Sequence, residues 1–290
     1  MKKLFEVEHL RCSYDKKYSE GQSKVVLHIE NLSFPKGKKI FIVGESGIGK
    51  STILEILGLM NNTIIPDPQT RFVFYDDKEN PIDLISLWKR NDDNELSEIR
   101  RKHFNFIFQS TNLMKNFTAY ENISITRMLQ GFSRDESFER ASKVLKDLGL
   151  DHISQERMAQ ELSGGQQQRL AFARAIIPEF TVLFGDEPTG NLDSENAVKA
   201  MELLTTKLNE YENSSAVIVS HDMHLSVTFG DMIVKIKKVA NERKESDDET
   251  TFHGLINEDC IFVPSEDRMT WSNGKETYST FDFETYLRKR

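Results

Sequence analysis

Residues 44–51 read GESGIGKS and match G-x-x-x-x-G-K-[ST] at every fixed position. The apolar run KKIFIVG (38–44) leads into them, and STILEILGLM (51–60), with apolar residues at helical spacing, follows. A strand, a glycine-rich loop and a helix in that order are the context of a phosphate-binding loop. Backbone amides around Gly47 and Gly49 can cradle phosphate oxygens, Lys50 can reach the β- and γ-phosphates, and Ser51 can ligate Mg²⁺. The candidate nucleotide-contacting stretch is therefore Gly44, Glu45, Ser46, Gly47, Ile48, Gly49, Lys50, Ser51 and Thr52. The bland alternative, a chance glycine-rich turn, is disfavoured by the flanking patterns.

Further along, TVLFGDE (181–187) ends an apolar run in two carboxylates. Asp186, at the strand end, can hold Mg²⁺ directly or through water, and Glu187 can polarise a water attacking the γ-phosphate. Taken alone, Asp-Glu-Pro is an ordinary strand-to-turn transition; after a phosphate loop, the catalytic reading dominates. Gln109 ends FNFIF, where its amide can touch both metal and water, and His221 ends AVIVS, where its imidazole can bond the γ-phosphate. Each alone would pass for a loop-capping polar residue. Their shared placement at C-terminal strand ends, where ligands sit in α/β sheets, favours a site. The candidate catalytic residues are Glu187, His221 and Gln109, and the candidate metal ligands are Ser51, Gln109 and Asp186.

A second anion seat stands apart. In ELSGGQQQRL (161–170), Gly164 and Gly165 follow Ser163 at the start of a helix-prone run, so their amides could hold another anion. Two phosphate seats in one chain call for an explanation.

The elements needed to position these residues can be read from periodicity. FEVEHL (5–10) and VVLHIENLSF (25–34) alternate like strands of an antiparallel sheet, and RFVFY (71–75) and FNFIF (104–108) are further strands. The pattern from 120 to about 150 is helical, with Gly149 as a stop, and forms an inserted subdomain spanning about 110–170. A helix over 164–177, the strand TVLFGD, a helix over about 194–210 and the strands AVIVS (216–220) and MIVKI (232–236) follow. Strands alternating with helices predict a parallel α/β sheet. Residues 76–101 are a charge-rich insertion between strands.

The chain divides into a cassette over 1–240, a charged linker over 241–250 and an extension over 251–290. Within the extension, LINEDCIFV suggests a strand or hairpin and DFETYLRKR a short amphipathic helix. Trp271, Tyr278, Phe281, Phe283 and Tyr286 are too apolar to stay fully solvated. They either pack back on the cassette as an extra layer, the favoured reading, or dock a second cassette or a partner.

Composition narrows the class. The 290 residues, 38% of them hydrophobic, can fill a sizeable core, and a net charge of −8 argues against broad nucleic-acid binding. MKKLFEVEHL has no apolar stretch after its basic start, so it does not read as a signal peptide, and no window suits a membrane span. The two cysteines, Cys12 and Cys260, match no metal spacing and suit a reduced, cytosolic compartment.

In order and spacing, the phosphate loop, Gln109, LSGGQ (162–166), VLFGDE, NLD (191–193) and His221 resemble an ABC-type ATPase over about residues 4–236. The resemblance implies a P-loop NTPase core, a mixed sheet with flanking helices, carrying an antiparallel β subdomain and an inserted α-helical subdomain. It also accounts for the two seats. In that family two cassettes pack head to tail, and each LSGGQ closes over ATP held by the other's phosphate loop. By position, Ser163, Gly164, Gly165 and Gln166 would contact ATP in trans, Asp193 would signal between sites, and Tyr14 would stack on adenine, with Tyr18 competing for that role. LSGGQQQRLAFARAI with DEPTGNLD, and FQSTNLMKNFTAYENI, are more specifically similar to the branch serving lipoprotein release, macrolide export and cell division. Gly185, the long 76–101 insertion and the tail beyond 240 depart from that pattern.

The resemblance implies an ATPase subunit using ATP and Mg²⁺. It would pair with a second, identical cassette and an integral membrane permease, at the cytoplasmic face of the cell membrane. The alternative is an ABC ATPase without a membrane partner, acting on ribosomes, DNA or a defence complex. Such proteins usually carry two cassettes or a long coiled-coil insertion, and this chain has neither.

Overall fold

The computed structural model describes residues 2–15, 24–211, 213–241 and 251–289. Two compact units emerge, one formed by Met1–Glu98 with Val219–Arg290 and the other by Ile99–Ile218.

In the first unit, β1 (Lys3–Cys12) and β2 (Leu27–Pro35) pair antiparallel, with Leu10 opposite Ile29 and Val7 opposite Leu32. Alternation along β1 buries Phe5 and Val7, shifts phase at His9 (φ 49°), and then buries Leu10 and Cys12 with Arg11 turned outward. This is the antiparallel pairing expected of FEVEHL and VVLHIENLSF. β3 (Lys39–Val43) delivers the chain to α1 (Lys50–Leu57), and β4 (Arg71–Tyr75) joins β1 antiparallel.

The charge-rich 76–101 segment is ordered. It forms β5 (Pro81–Asp83), α2 (Leu84–Lys89) and the start of α3 (Asp93–His103). Asp83 caps α2 by accepting from the Ser86 amide, and Leu84 and Leu87 turn inward.

The second unit holds β6 (Phe104–Ile107) parallel to β7 (Val182–Asp186), with β8 (Ser215–Val219) beside β7. Phe104 and Phe184 meet edge to face at 5.3 Å across that pair. Around them lie α4 (Ala119–Leu129), α5 (Arg134–Asp147), α6 (Gly164–Ile176) and α7 (Ser194–Glu210). α5 stops where Gly149, at φ 65°, turns the chain.

Back in the first unit, α8 (Met223–Phe229) leads to β9 (Met232–Lys235), which runs parallel to β3. β10 (Lys237–Ala240) and β11 (Phe252–Ile256) then pair antiparallel, and β11 lies parallel against β2. The sheet order is β10-β11-β2-β1-β4-β5. β12 (Ile261–Pro264) pairs with β9, and β13 (Thr270–Ser272) and β14 (Thr277–Ser279) extend that sheet before α9 (Thr280–Arg288).

LINEDCIFV is thus the end of β11, a short turn and β12, so the extension supplies strands to two sheets of this unit. Trp271 and Phe283 are fully buried and stack at 5.1 Å. Phe281 is 82% exposed, because α9 turns Phe283 and Leu287 inward and position 281 falls on its outer face. Most of the linker, 242–250, lies outside the described residues.

Candidate functional site

The phosphate loop leaves β3 and enters α1 through glycines at φ 75° (Gly47) and φ 99° (Gly49), left-handed conformations that a side chain would strain. Gly49 also lacks room: an added Cβ would stand 3.3 Å from the Val26 carbonyl oxygen. Lys50 is buried, and its Nζ donates to the carbonyls of Gly44 (3.0 Å) and Glu45 (2.8 Å), curling the loop around the ammonium.

Helices α2 and α4 through α9 each begin with a capping side chain. α1 does not; its cap is Gly49, which has no side chain to offer the first-turn amides. A buried cation inside a glycine loop, at a helix start that no side chain caps, fits a polyphosphate.

Tyr14 stands over the same helix. Its hydroxyl lies 3.0 Å from Thr52 Oγ1 and donates to Glu55 Oε2 at 2.9 Å, while the residue stays 52% exposed. An anchored tip and an open ring are what stacking on a base needs. Tyr18 lies outside the described residues. His221, exposed, follows Ser220, whose amide donates to the Ile42 carbonyl at 3.3 Å. The imidazole is thereby carried to the end of β3 that opens into the phosphate loop. Just beyond, Asp222 caps α8 through the Leu225 amide.

In the second unit, Gln109, two residues past β6, donates from Nε2 to Glu187 Oε2 at 3.3 Å, beside Asp186 at the end of β7. The turn is strained, with Glu187 at φ 49°, and such a residue persists only where its surroundings hold it. Gln168, 1% exposed, donates to the Pro188 carbonyl at 3.2 Å. Gly185 lies beneath the same proline, where a Cβ would meet Pro188 Cγ at 3.2 Å; a larger residue there would crowd the turn.

LSGGQ forms the first turn of α6. Ser163 and Gln166 cap it reciprocally, and Gln166 Nε2 also reaches His152 Nε2 at 3.1 Å. A Cβ on Gly164 or Gly165 would meet nothing within 4 Å, so those glycines are open on their outer side. Asp193 caps α7, and the Asn196 backbone amide followed by the Asn196 side chain holds its carboxyl below the usual range. Arg169 Nη1 donates to Asn196 Oδ1 at 3.0 Å, tying α6 to that cap.

Several of these supports escaped the sequence reading. Gln168 shares a face with Ala171, Phe172 and Ala175, all buried, and a polar residue on an apolar stripe was the available signal. Asn122, fully buried in α4, accepts from the Met114 amide and donates to the carbonyls of Met114, Phe117 and Thr118. Arg174 donates to the carbonyls of Thr111 and Asn112, both at 2.8 Å. Together they shape the segment after Gln109.

The family model described as ABC transporter matches residues 27–190. The chain belongs to the ABC transporter family. Its curated relatives include the lipoprotein-releasing system ATP-binding protein LolD of Aquifex aeolicus, 39% identical over 81% of this chain and 97% of that protein. LolD of Idiomarina loihiensis is 35% identical over 75% of this chain and 90% of its own length. The ABC transporter ATP-binding protein MJ0796 of Methanocaldococcus jannaschii is 37% identical over 79% and 93%.

Among solved structures, a dimeric form of the MJ0796 cassette superposes with a TM-score of 0.63 at 32% identity, covering 80% of this chain and 94% of that one. A dimeric post-hydrolysis state of the same cassette, bound to ADP and Pi, also scores 0.63. This ABC protein has the P-loop NTPase fold and is an ATP-binding, ATP-hydrolysing subunit, similar to the ATP-binding proteins of lipoprotein-releasing systems. Among its described residues no helix is long and apolar enough to cross a membrane.

Proposed function

We propose that this subunit powers a separate integral membrane permease that exports or extracts a lipid-linked, peptide or small hydrophobic substrate. The observation that carries the chemistry is the Glu187 carboxylate at the end of β7, held by the Gln109 amide. In this reading Glu187 accepts a hydrogen bond from the attacking water, and Gln109 orients both. Lys50 and the loop amides of Gly44–Thr52 bind the β- and γ-phosphates, His221 donates to the γ-phosphate, and Tyr14 stacks on adenine. Ser51, Asp186 and Gln109 are the proposed oxygen donors to Mg²⁺, which neutralises phosphate charge when bound.

The substrate class follows the LolD relatives, whose names place them in lipoprotein release. We assign the second ATP contact to Ser163, Gly164, Gly165 and Gln166 of another copy packed head to tail, with Asp193 signalling between the two sites. Residues 1–240 act as the cassette, joined by the 241–250 linker to the 251–290 extension. The assembly works at the cytoplasmic face of the membrane, without nucleic acid.

The test is affinity purification of the full chain from detergent-solubilised membranes. A stoichiometric multi-span membrane protein, with ATP turnover raised in the complex, is the expected result. Co-purification with ribosomes or DNA-bound proteins instead would favour the alternative ABC ATPase that lacks a permease.

A further inference from the structure

Gly254, in β11, has no room for a side chain. An added Cβ would stand 2.2 Å from the Ile48 carbonyl oxygen and 2.8 Å from Ile236 Cγ2. Ile48 lies inside the phosphate loop, and the obstructing atom is backbone, so only movement of the loop or of β11 could relieve the contact. The Gly254 amide donates to the Val26 carbonyl at 2.9 Å, the same oxygen that Gly49 approaches from the loop side.

One further contact ties this strand pair to the loop. Lys238 in β10 places Nζ 2.7 Å from Glu45 Oε2. A fifth of the chain has no counterpart in the Aquifex relative, 97% of which is matched by 81% of this chain.

We propose that the β10–β11 pair braces the phosphate loop, with Gly254 and Lys238 as positioning residues that set nucleotide affinity. Gly254 fixes how closely β11 seats against Ile48, and Lys238 holds the Glu45 end of the loop. By linkage, a nucleotide that favours the seated loop tightens the strand pair in return. This inference rests on the reading of Gly44–Thr52 as the nucleotide contact.

The test uses the full-length protein and a fluorescent ATP analogue, with thermal melts recorded alongside. Wild type binds, and Gly254→Ala binds about ten-fold or more weakly, because a loop displaced by about 1 Å loses its alignment with the phosphates. The loss falls on KM, with turnover at saturating ATP near wild type. Phe262→Leu, a core change in the same segment, lowers the melting temperature without altering affinity. Lys238→Met, at a half-exposed position that does not threaten folding, weakens binding about two- to five-fold, and Lys238→Arg restores it.

If wild type fails to bind the analogue, the loop assignment falls and the brace with it. If wild type binds and Gly254→Ala and Lys238→Met bind equally well, the brace alone is overturned. Equal weakening by Phe262→Leu would also overturn it, by reducing the effect to stability. Should Gly254→Ala not fold, the Lys238 pair of variants decides.

Discussion

The Gln109 side-chain amide donates to the Glu187 carboxylate across 3.3 Å, although 77 residues lie between them in the chain. The parallel pairing of β6 with β7 makes that contact, setting Ile107 beside Gly185 so that both strands end at one place.

Glu187→Gln should therefore keep nucleotide binding and the turn geometry while lowering phosphate release by about 10²–10⁴-fold. The new amide has the same shape and can still accept from Gln109, but it cannot take a proton from water. A dimer carrying ATP should accumulate on gel filtration. Turnover near wild type would remove Glu187 from the mechanism.

Cysteines at positions 47 and 163 test the head-to-tail arrangement. The native Cys12 and Cys260 are buried, and burial pushes both thiols up, so neither competes in crosslinking. An ATP-dependent disulfide between two chains is expected. A crosslink found only within single chains would refute the arrangement.

Asn122→Ala should cost about 1–3 kcal/mol in urea unfolding, because it removes a fully buried side chain that accepts from the Met114 amide and donates to the Met114 carbonyl. The same variant should uncouple ATP turnover from any permease that grips this segment. A loss below about 0.5 kcal/mol would mean that the segment holds its shape without the asparagine.

Lys207, buried in α7, has its pKa pushed down to about 8 by burial first and the nearby Arg140 second, against the pull of Glu210. A lowered folded-state pKa means that the unfolded chain binds more protons between about pH 8 and the ordinary lysine value near 10.5. This residue's contribution to stability therefore rises with pH across that window, and the penalty is fully present below about pH 8. Urea titrations of wild type and Lys207→Met at pH 7 and 9 should show the difference between them shrinking at the higher pH. A difference independent of pH would contradict the assignment.

The sequence alone determined the chemistry that depends on neighbours in the chain. GESGIGKS carries its glycines, lysine and serine within one turn, LSGGQ carries its own cap, and Asp186 and Glu187 end one apolar run. Strand alternation and helical spacing placed β1, β2, β7, α6 and α7 to within a residue or two, because side-chain burial repeats with the backbone period.

What the tertiary structure decided is who meets whom. That Gln109 touches Glu187, that Gln168 holds Pro188, and that Asn122 shapes 114–118 all depend on segments brought together by packing. The extension shows the limit most sharply. Its aromatics announced a core, but Phe281 and Phe283 have the same composition signal and opposite fates, set by which face of α9 meets the sheet. Gly254 reads as any strand glycine until β11 is laid against β2 and the missing Cβ is found to point at Ile48. A periodic pattern encodes which side of an element is buried; the distance to a backbone atom more than 200 residues away exists only once the sheet has formed.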